Sequence, residues 1–216
     1  MIPKKIHYCW FGGKEYTALI EKCMKTWSEH FPDWEFILWN ESNSPLAHPF
    51  VSRALKDKKY AFVADYVRCY ALYEHGGVYL DTDVEVIKNF DNLLRYNVFL
   101  GSECKNVDNY NCAVMGSIKG EDFLYEMLKY YDNSKEYIPI PIIASEIIKK
   151  IPHDNYGLFN SDFFYPYNPY DPDQNVKQLF FSDITVHTYA IHHWEFSWKP
   201  SLSERIIKYL KRKLLK

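Results

Sequence analysis

Residues 59–83 read KYAFVADYVRCYALYEHGGVYLDTD, and the reading of this stretch decides the fold. Phe62, Tyr66, Cys69, Leu72 and Tyr73 recur at intervals of three and four, which predicts a helix over 59–75. Gly76-Gly77 ends it, because glycine enters the left-handed backbone that closes many helices. Gly77–Leu80 then forms a short apolar strand, and Asp81-Thr82-Asp83 follows at its carboxyl end. Upstream, Lys5–Phe11 reads as a buried strand stopped by Gly12-Gly13. Glu15–Phe31 has helical spacing at Leu19, Cys23, Trp27 and Phe31 before Pro32 breaks it, and Trp34–Trp39 is a second strand. Asn40–Pro49 is a polar loop. Downstream, Val84–Ile87 continues extended, Val98–Gly101 and Cys112–Ser117 are strands, and Glu121–Tyr131 and Ile142–Ile151 are helices. Residues 152–183 are rich in Asn, Asp, Pro and aromatics with little periodicity, a long irregular region of the kind that often carries function. Thr185–Ile191 reads as the last strand. Strands alternating with helices early in the chain predict an α/β fold whose N-terminal half holds a mainly parallel sheet. Ligands in such sheets bind beyond the carboxyl ends of the strands, which puts Asp81 and Asp83 where a ligand would sit.

The rest of the composition sets limits. The chain has 216 residues, 47% of them apolar and 18% aromatic, enough for one domain with its own core and too much for disorder. Nineteen Tyr and six Trp suit a large aromatic core, and their polar tips also suit sugar and base contacts. A net charge of −2 gives no basic excess of the kind nucleic-acid binding shows. The five cysteines are odd in number and none are spaced as CxxC, which predicts reduced thiols and a cytoplasmic protein. The N-terminus lacks a signal-peptide apolar region, and no run approaches the ~18 apolar residues of a membrane span.

Two carboxylates two residues apart on an extended segment, Asp81 and Asp83, supply hard oxygen ligands for Mg²⁺ or Mn²⁺, an ion suited to neutralising a diphosphate. The bland alternative is a polar turn between strands. Asp65 and Arg68 share one face of the predicted helix. They form either a surface ion pair of little energy or a unit in which Asp65 accepts from sugar hydroxyls and Arg68 clamps a phosphate. His192-His193-Trp194, with Ser197-Trp198 close behind, forms a second polar cluster, and a histidine after a strand is a candidate nitrogen ligand. A haloacid dehalogenase-type phosphatase also carries Asp-x-Asp after an apolar strand, but that fold starts near the motif, and here 80 residues precede it.

Four blocks in order carry a family resemblance. They are Ile2–Gly13 (IPKKIHYCWFGG), Ala64–Tyr73 (ADYVRCYALY), Gly76–Asp83 (GGVYLDTD), and His192-His193-Trp194 with Ser197-Trp198. The chain resembles the bacterial capsular-polysaccharide glycosyltransferases with an Asp-x-Asp motif, a family 32-like group. These are related to the yeast initiating α-1,6-mannosyltransferase and to the catalytic domain of the clostridial glucosylating toxins. The resemblance implies a GT-A fold, a mixed central sheet flanked by helices over residues 1–200. It implies a retaining, metal-dependent transfer of a sugar from a nucleotide-sugar to a hydroxyl of a glycan or lipid-linked acceptor, in surface polysaccharide synthesis. UDP-hexose or UDP-N-acetylhexosamine are the expected donors, with GDP-mannose also open, and Mn²⁺ (or Mg²⁺) is the expected cofactor. A non-catalytic nucleotide-sugar-binding partner subunit is the alternative. Carried over residue by residue, Trp10 stacks on the base, and Asp65 and Arg68 hold the donor sugar and diphosphate. Tyr79 touches the donor. Asp81 faces ribose and metal-bound water, and Asp83 ligates the metal. His192, or else His193, completes the metal site. Ser197 and Trp198 match a Ser-x-Trp region only approximately, being adjacent here, and Asn111 matches a polar residue on the acceptor side.

Residues 201–216 stand apart. They carry six basic residues against Glu204, a net +5 that leaves −7 on the rest of the chain. Ile206, Ile207, Leu210, Leu214 and Leu215 form an apolar stripe, so a basic amphipathic C-terminal helix is expected. Such a helix either lies peripherally on an anionic cytoplasmic membrane face or packs on the domain.

Overall fold

The computed structural model describes residues 1–105, 109–171, 173 and 176–195. Its strands are β1 (Lys5–Cys9), β2 (Glu35–Trp39), β3 (Gly77–Leu80), β4 (Val84–Val86), β5 (Val98–Ser102), β6 (Tyr110–Ser117), β7 (Tyr156–Phe159) and β8 (Ala190–His192). Its α-helices are α1 (Ala18–His30), α2 (Pro49–Lys56), α3 (Tyr60–His75), α4 (Asp122–Asn133) and α5 (Ile140–Ile148). Six strands form one mixed sheet in the order β2-β1-β3-β6-β5-β7, and β4 pairs with β8 in a small antiparallel ribbon. β2, β1 and β3 run parallel, β6 opposes both β3 and β5, and β7 lies parallel to β5 at the edge. The parallel half expected from the N-terminal sequence is therefore present within a mixed sheet.

Two apolar layers cover the sheet. One packs Val63, Val67, Ala71 and Leu72 of α3 against Cys9, Tyr79, Leu100 and Met115, with α2, α4 and α5 around them. The other packs Trp27 and Phe31 against Val78, Leu80, Phe90, Phe99 and Phe164. Helix α3 is enclosed more completely than its sequence phase predicts. Asp65, Val67, Arg68 and Ala71 are buried together with Tyr66, Cys69 and Leu72, because α2 and α4 as well as the sheet pack on this helix.

The turn from α3 into β3 is set by its two glycines. Gly76 has φ +62° and Gly77 φ +121°. A Cβ on Gly76 would stand 2.9 Å from the Lys119 amide nitrogen, and one on Gly77 2.8 Å from the Lys5 carbonyl oxygen. Only glycine permits both the backbone conformation and this approach, which beds β3 directly against β1. His7 ties the same corner. Its Nδ1 accepts from the Trp39 indole at 3.0 Å, so its Nε2 carries the proton donated to the Gly76 carbonyl at 2.9 Å.

Three regions depart from the sequence reading. Helix α2 lies where no element was expected, although Pro49 at its first position and buried Phe50, Val51 and Ala54 are its signal. Strand β7 lies inside the stretch expected to be irregular. The last strand covers only Ala190–His192, because Thr185–Thr188 closes a turn in which the Thr185 amide donates to Thr188 Oγ1 at 2.9 Å and the Thr188 amide to the Thr185 carbonyl. The expected C-terminal helix over 201–216 lies outside the described residues. Among the described residues no helix is long and apolar enough to cross a membrane.

Candidate active site

The carboxyl ends of β1 and β3 open side by side, and the start of β6 meets them from the opposite direction. Register puts Leu80 beside Val114, and the Asp81 amide donates to the Ala113 carbonyl at 2.8 Å. Between Leu100 and Gly101 the β5–β6 register slips, so that Leu100 faces Met115 while Gly101 faces Asn111. Residues 112–114 bulge as a result, and a bulge re-aims backbone groups at a site. The Cys112 carbonyl, turned inward, accepts from Arg68 Nη1 at 2.8 Å.

Asp81-Thr82-Asp83 is a tight turn between β3 and β4, closed by the Val84 amide on the Asp81 carbonyl at 3.1 Å. Asp81, Asp83 and His192 each offer a ligand atom, and these atoms all lie within 4.8 Å of one another. His192 arrives on β8, whose pairing with β4 sets His192 beside Val84 and thus beside Asp83. The His192 Nε2 stands 3.3 Å from Asp83 Oδ1. Asp83 Oδ2 accepts from the Glu195 amide at 2.7 Å, and the Asp83 carbonyl accepts from the His193 amide at 3.1 Å. Trp194 bends the chain here with a left-handed φ of +57°, a strained conformation for a bulky residue. That bend lays its ring against His192, with centroids 4.3 Å apart, and aims the Glu195 amide at Asp83.

Arg68 organises the other side. Its Nη2 lies 3.1 Å from Asp65 Oδ1 and 3.2 Å from Asp81 Oδ1. Its Nε donates to the Ala64 carbonyl at 3.3 Å, and its guanidinium carbon sits 4.4 Å from the Tyr79 ring centroid. The Tyr79 hydroxyl donates to Asp81 Oδ1 at 3.0 Å. The Asp65–Arg68 pair is thus a buried unit shared with Asp81, not a solvated surface pair.

Electrostatics follow from burial. Burial pushes the Asp65 carboxyl up to about 7, with Arg68 opposing and Asp81 adding to the rise. Burial also acts upward on Asp83, but the charge and hydrogen bond of His192 and the Glu195 amide outweigh it and hold Asp83 below its ordinary value. For His192 burial acts downward, and Asp83 and then Asp81 outweigh it, so its pKa is raised.

The remaining sequence candidates are placed as follows. Trp10 follows β1 at the cleft, with its indole donating to the Lys14 carbonyl at 2.6 Å and its ring 4.8 Å from that of Tyr16. His193 is turned away from the acidic pair and lies with Nε2 2.8 Å from Glu85 Oε2. Asn111 is buried at the bulge, donating to Glu103 Oε2 at 2.7 Å and accepting from the Ala113 amide at 2.8 Å. Ser197 and Trp198 lie outside the described residues. Sequence reasoning passed over Lys14, Tyr60 and Glu195, which also line the cleft. Glu195 lies within the His-His-Trp cluster and could have been noticed there. Its contribution to Asp83 is a backbone amide, which leaves no side-chain signal.

Two carboxylates and an imidazole form a donor set that suits a divalent ion such as Mn²⁺. The buried His192 Nδ1 has no partner among the described residues, and Nε2 is the ring nitrogen that meets the acids. The set fits a metal.

This mixed sheet flanked by helices, with an Asp-x-Asp turn at the end of its central strand, is the GT-A type of fold. The glycosyltransferase GlyE of Streptococcus pneumoniae TIGR4 shares this fold, with TM-score 0.56 and 16% identity over 97% of this chain and 60% of that one. Residues 17–100 match the glycosyltransferase sugar-binding region containing the DXD motif. The chain is similar to inositol phosphoceramide mannosyltransferase 3 of Schizosaccharomyces pombe, 30% identical over 133 residues, which are 59% of this chain and 36% of the relative. It is also similar to the glycosyltransferase L373 of Acanthamoeba polyphaga mimivirus, 27% identical over 222 residues, which are 94% of this chain and 86% of that one. The chain therefore spans about a third of the yeast relative it matches and most of the viral one.

Proposed function

We propose that this chain is a DXD-motif glycosyltransferase that moves a sugar, with retention, from a nucleotide-sugar to a hydroxyl of a glycan or lipid-linked acceptor. The observation that carries the reading is the convergence of Asp81, Asp83 and His192 beside the buried Asp65–Arg68 unit. In this reading Asp81, Asp83 and His192 hold Mn²⁺ or Mg²⁺, which when bound supplies positive charge to the donor diphosphate. Arg68 holds Asp81 in place, and Asp65 accepts from donor sugar hydroxyls. Trp10, its ring fixed by the Lys14 carbonyl, stacks on the base. His193, paired with Glu85, is left out of the metal set.

The donor is a UDP-hexose, a UDP-N-acetylhexosamine or GDP-mannose. The mannosyl transfer onto inositol phosphoceramide in the name of the fission-yeast relative supports the last, together with a lipid-linked acceptor. The likeness of the four sequence blocks to capsular enzymes supports a place in surface polysaccharide assembly. The test is a melting panel of UDP, GDP, CDP and their sugar conjugates, with and without Mn²⁺. A ligand that binds only the folded chain raises its melting temperature. We expect one nucleotide family to do so, and to need the metal. No shift with any nucleotide in a folded sample would overturn the reading.

A further inference from the structure

All three Arg68 nitrogens already face partners within the fold: Nε and Nη1 donate to the Ala64 and Cys112 carbonyls, and Nη2 pairs with the carboxylates of Asp65 and Asp81. An arginine so occupied positions Asp81 and has little left for a phosphate. The other cation-bearing residues lining the cleft among those described are His192, which faces Asp83, and Lys14. Lys14 is exposed, lines the cleft beside Trp10, and makes no ion pair among the described residues. The loop around it is built to hold it there. Gly12 and Gly13 take φ +87° and +65°, the Gly12 amide donates to Glu41 Oε1 at 2.7 Å, and the Trp10 indole donates to the Lys14 carbonyl at 2.6 Å. The ring and the cation are therefore two ends of one short, internally bonded loop.

Among the described residues, the acids lining the same cleft are Asp81, Asp83 and Glu195, and the Glu195 carboxylate is taken up by the Thr17 hydroxyl at 2.7 Å. In sugar transfer the bond from the anomeric carbon to the β-phosphate oxygen breaks, and its electron pair stays on the diphosphate. The acceptor oxygen forms the new bond and passes its proton to the departing phosphate. The leaving group thus gains negative charge in a cleft where Arg68, the one arginine lining it among the described residues, is committed to carboxylates and carbonyls.

We infer that Lys14 binds the diphosphate of the donor and of the leaving nucleotide, so that the loop 10–14 reads a nucleoside diphosphate as one unit, base at Trp10 and diphosphate at Lys14. This rests on the transferase reading and adds to its donor site the residue Lys14. A lysine suits the task because its charge is compact and its stem flexible, so it can follow the phosphate as charge builds. The test measures binding of uridine, UDP, guanosine and GDP to the whole chain in Mn²⁺, for wild type, Lys14→Ala, Lys14→Arg and Trp10→Ala. Lys14→Ala should weaken the diphosphate about 10- to 150-fold and leave the matching nucleoside unchanged, a size expected of one charge-assisted contact. Lys14→Arg should recover most of the loss, and Trp10→Ala should weaken nucleoside and diphosphate alike. Unchanged diphosphate affinity in Lys14→Ala, or equal losses for nucleoside and diphosphate, would overturn the assignment while leaving the transferase reading in place. Failure of the wild type to bind either diphosphate would overturn both.

Discussion

Asp83 has the most constrained carboxylate in the site. Each of its oxygens has a separate partner, His192 for Oδ1 and the Glu195 amide for Oδ2. Asp83→Asn keeps the shape and removes the charge. We expect donor turnover to fall by at least about 100-fold, the scale on which a lost electrostatic stabiliser acts, with the melting temperature of the metal-free chain changed little. Normal turnover by the variant in Mn²⁺ would remove Asp83 from the metal set. Trp10→Ala should raise the donor KM by about 5- to 150-fold, since stacking on a base is worth about 1–3 kcal/mol. An unchanged KM would take Trp10 out of the base site. At this scale the sequence was legible where a side chain does the work. Asp81, Asp83 and His192 stand out as ligand types, and it was the family resemblance of the four blocks that implied they come together. It was silent where the backbone does the work, as at the Glu195 amide, the Cys112 carbonyl and the β6 bulge. Which histidine meets Asp83 is set by strand register, because the β4–β8 pairing brings His192 to Asp83 while His193 pairs with Glu85.

Among the elements, α3 and β3 carry the design. The helix periodicity and the Gly-Gly stop gave their limits within a residue, since both signals are strong and local. Helix α2, eight residues long, and strand β7, four, were not read, because such short elements take their stability from the surfaces they cover rather than from their own pattern. Gly76→Ala tests the α3–β3 corner. It adds a Cβ against backbone at a left-handed φ, so we expect a loss of about 1–3 kcal/mol in chemical unfolding and weaker donor binding through displacement of β3. A variant as stable as wild type would show that the corner relaxes freely. The Thr17 cap of α1 accepts from the Ile20 amide at 3.3 Å while its hydroxyl donates to Glu195. Thr17→Ala should cost about 1 kcal/mol as a lost cap, read as a lower urea midpoint.

Across the whole molecule, buried titrating groups make stability depend on pH. Burial lowers His7 to about 4, against the backbone bond to Gly76 that favours its charge. The unfolded chain takes up a proton near pH 6.5 that the folded chain refuses until about pH 4, so stability drains as pH falls through that window. The full loss is on the order of 3 kcal/mol. Asp65, raised to about 7, works in the opposite sense, since the folded chain takes up its proton before the unfolded one. The comparison that isolates His7 is therefore wild type against His7→Gln, which does not titrate. We expect the wild type to lose stability relative to the variant between pH 6.5 and 4. Parallel pH profiles would mean that the Trp39–His7–Gly76 chain does not hold the imidazole neutral.

The central claim is metal-dependent sugar transfer at the Asp81–Asp83–His192 cluster, and release of nucleoside diphosphate from a panel of UDP- and GDP-sugars tests it most directly. Wild type and Asp83→Asn are assayed in Mn²⁺ and again with a chelator. The account predicts that wild type releases one nucleoside diphosphate in Mn²⁺, and that both the chelator and the substitution abolish release. Equal release by Asp83→Asn, or by wild type stripped of metal, would contradict it.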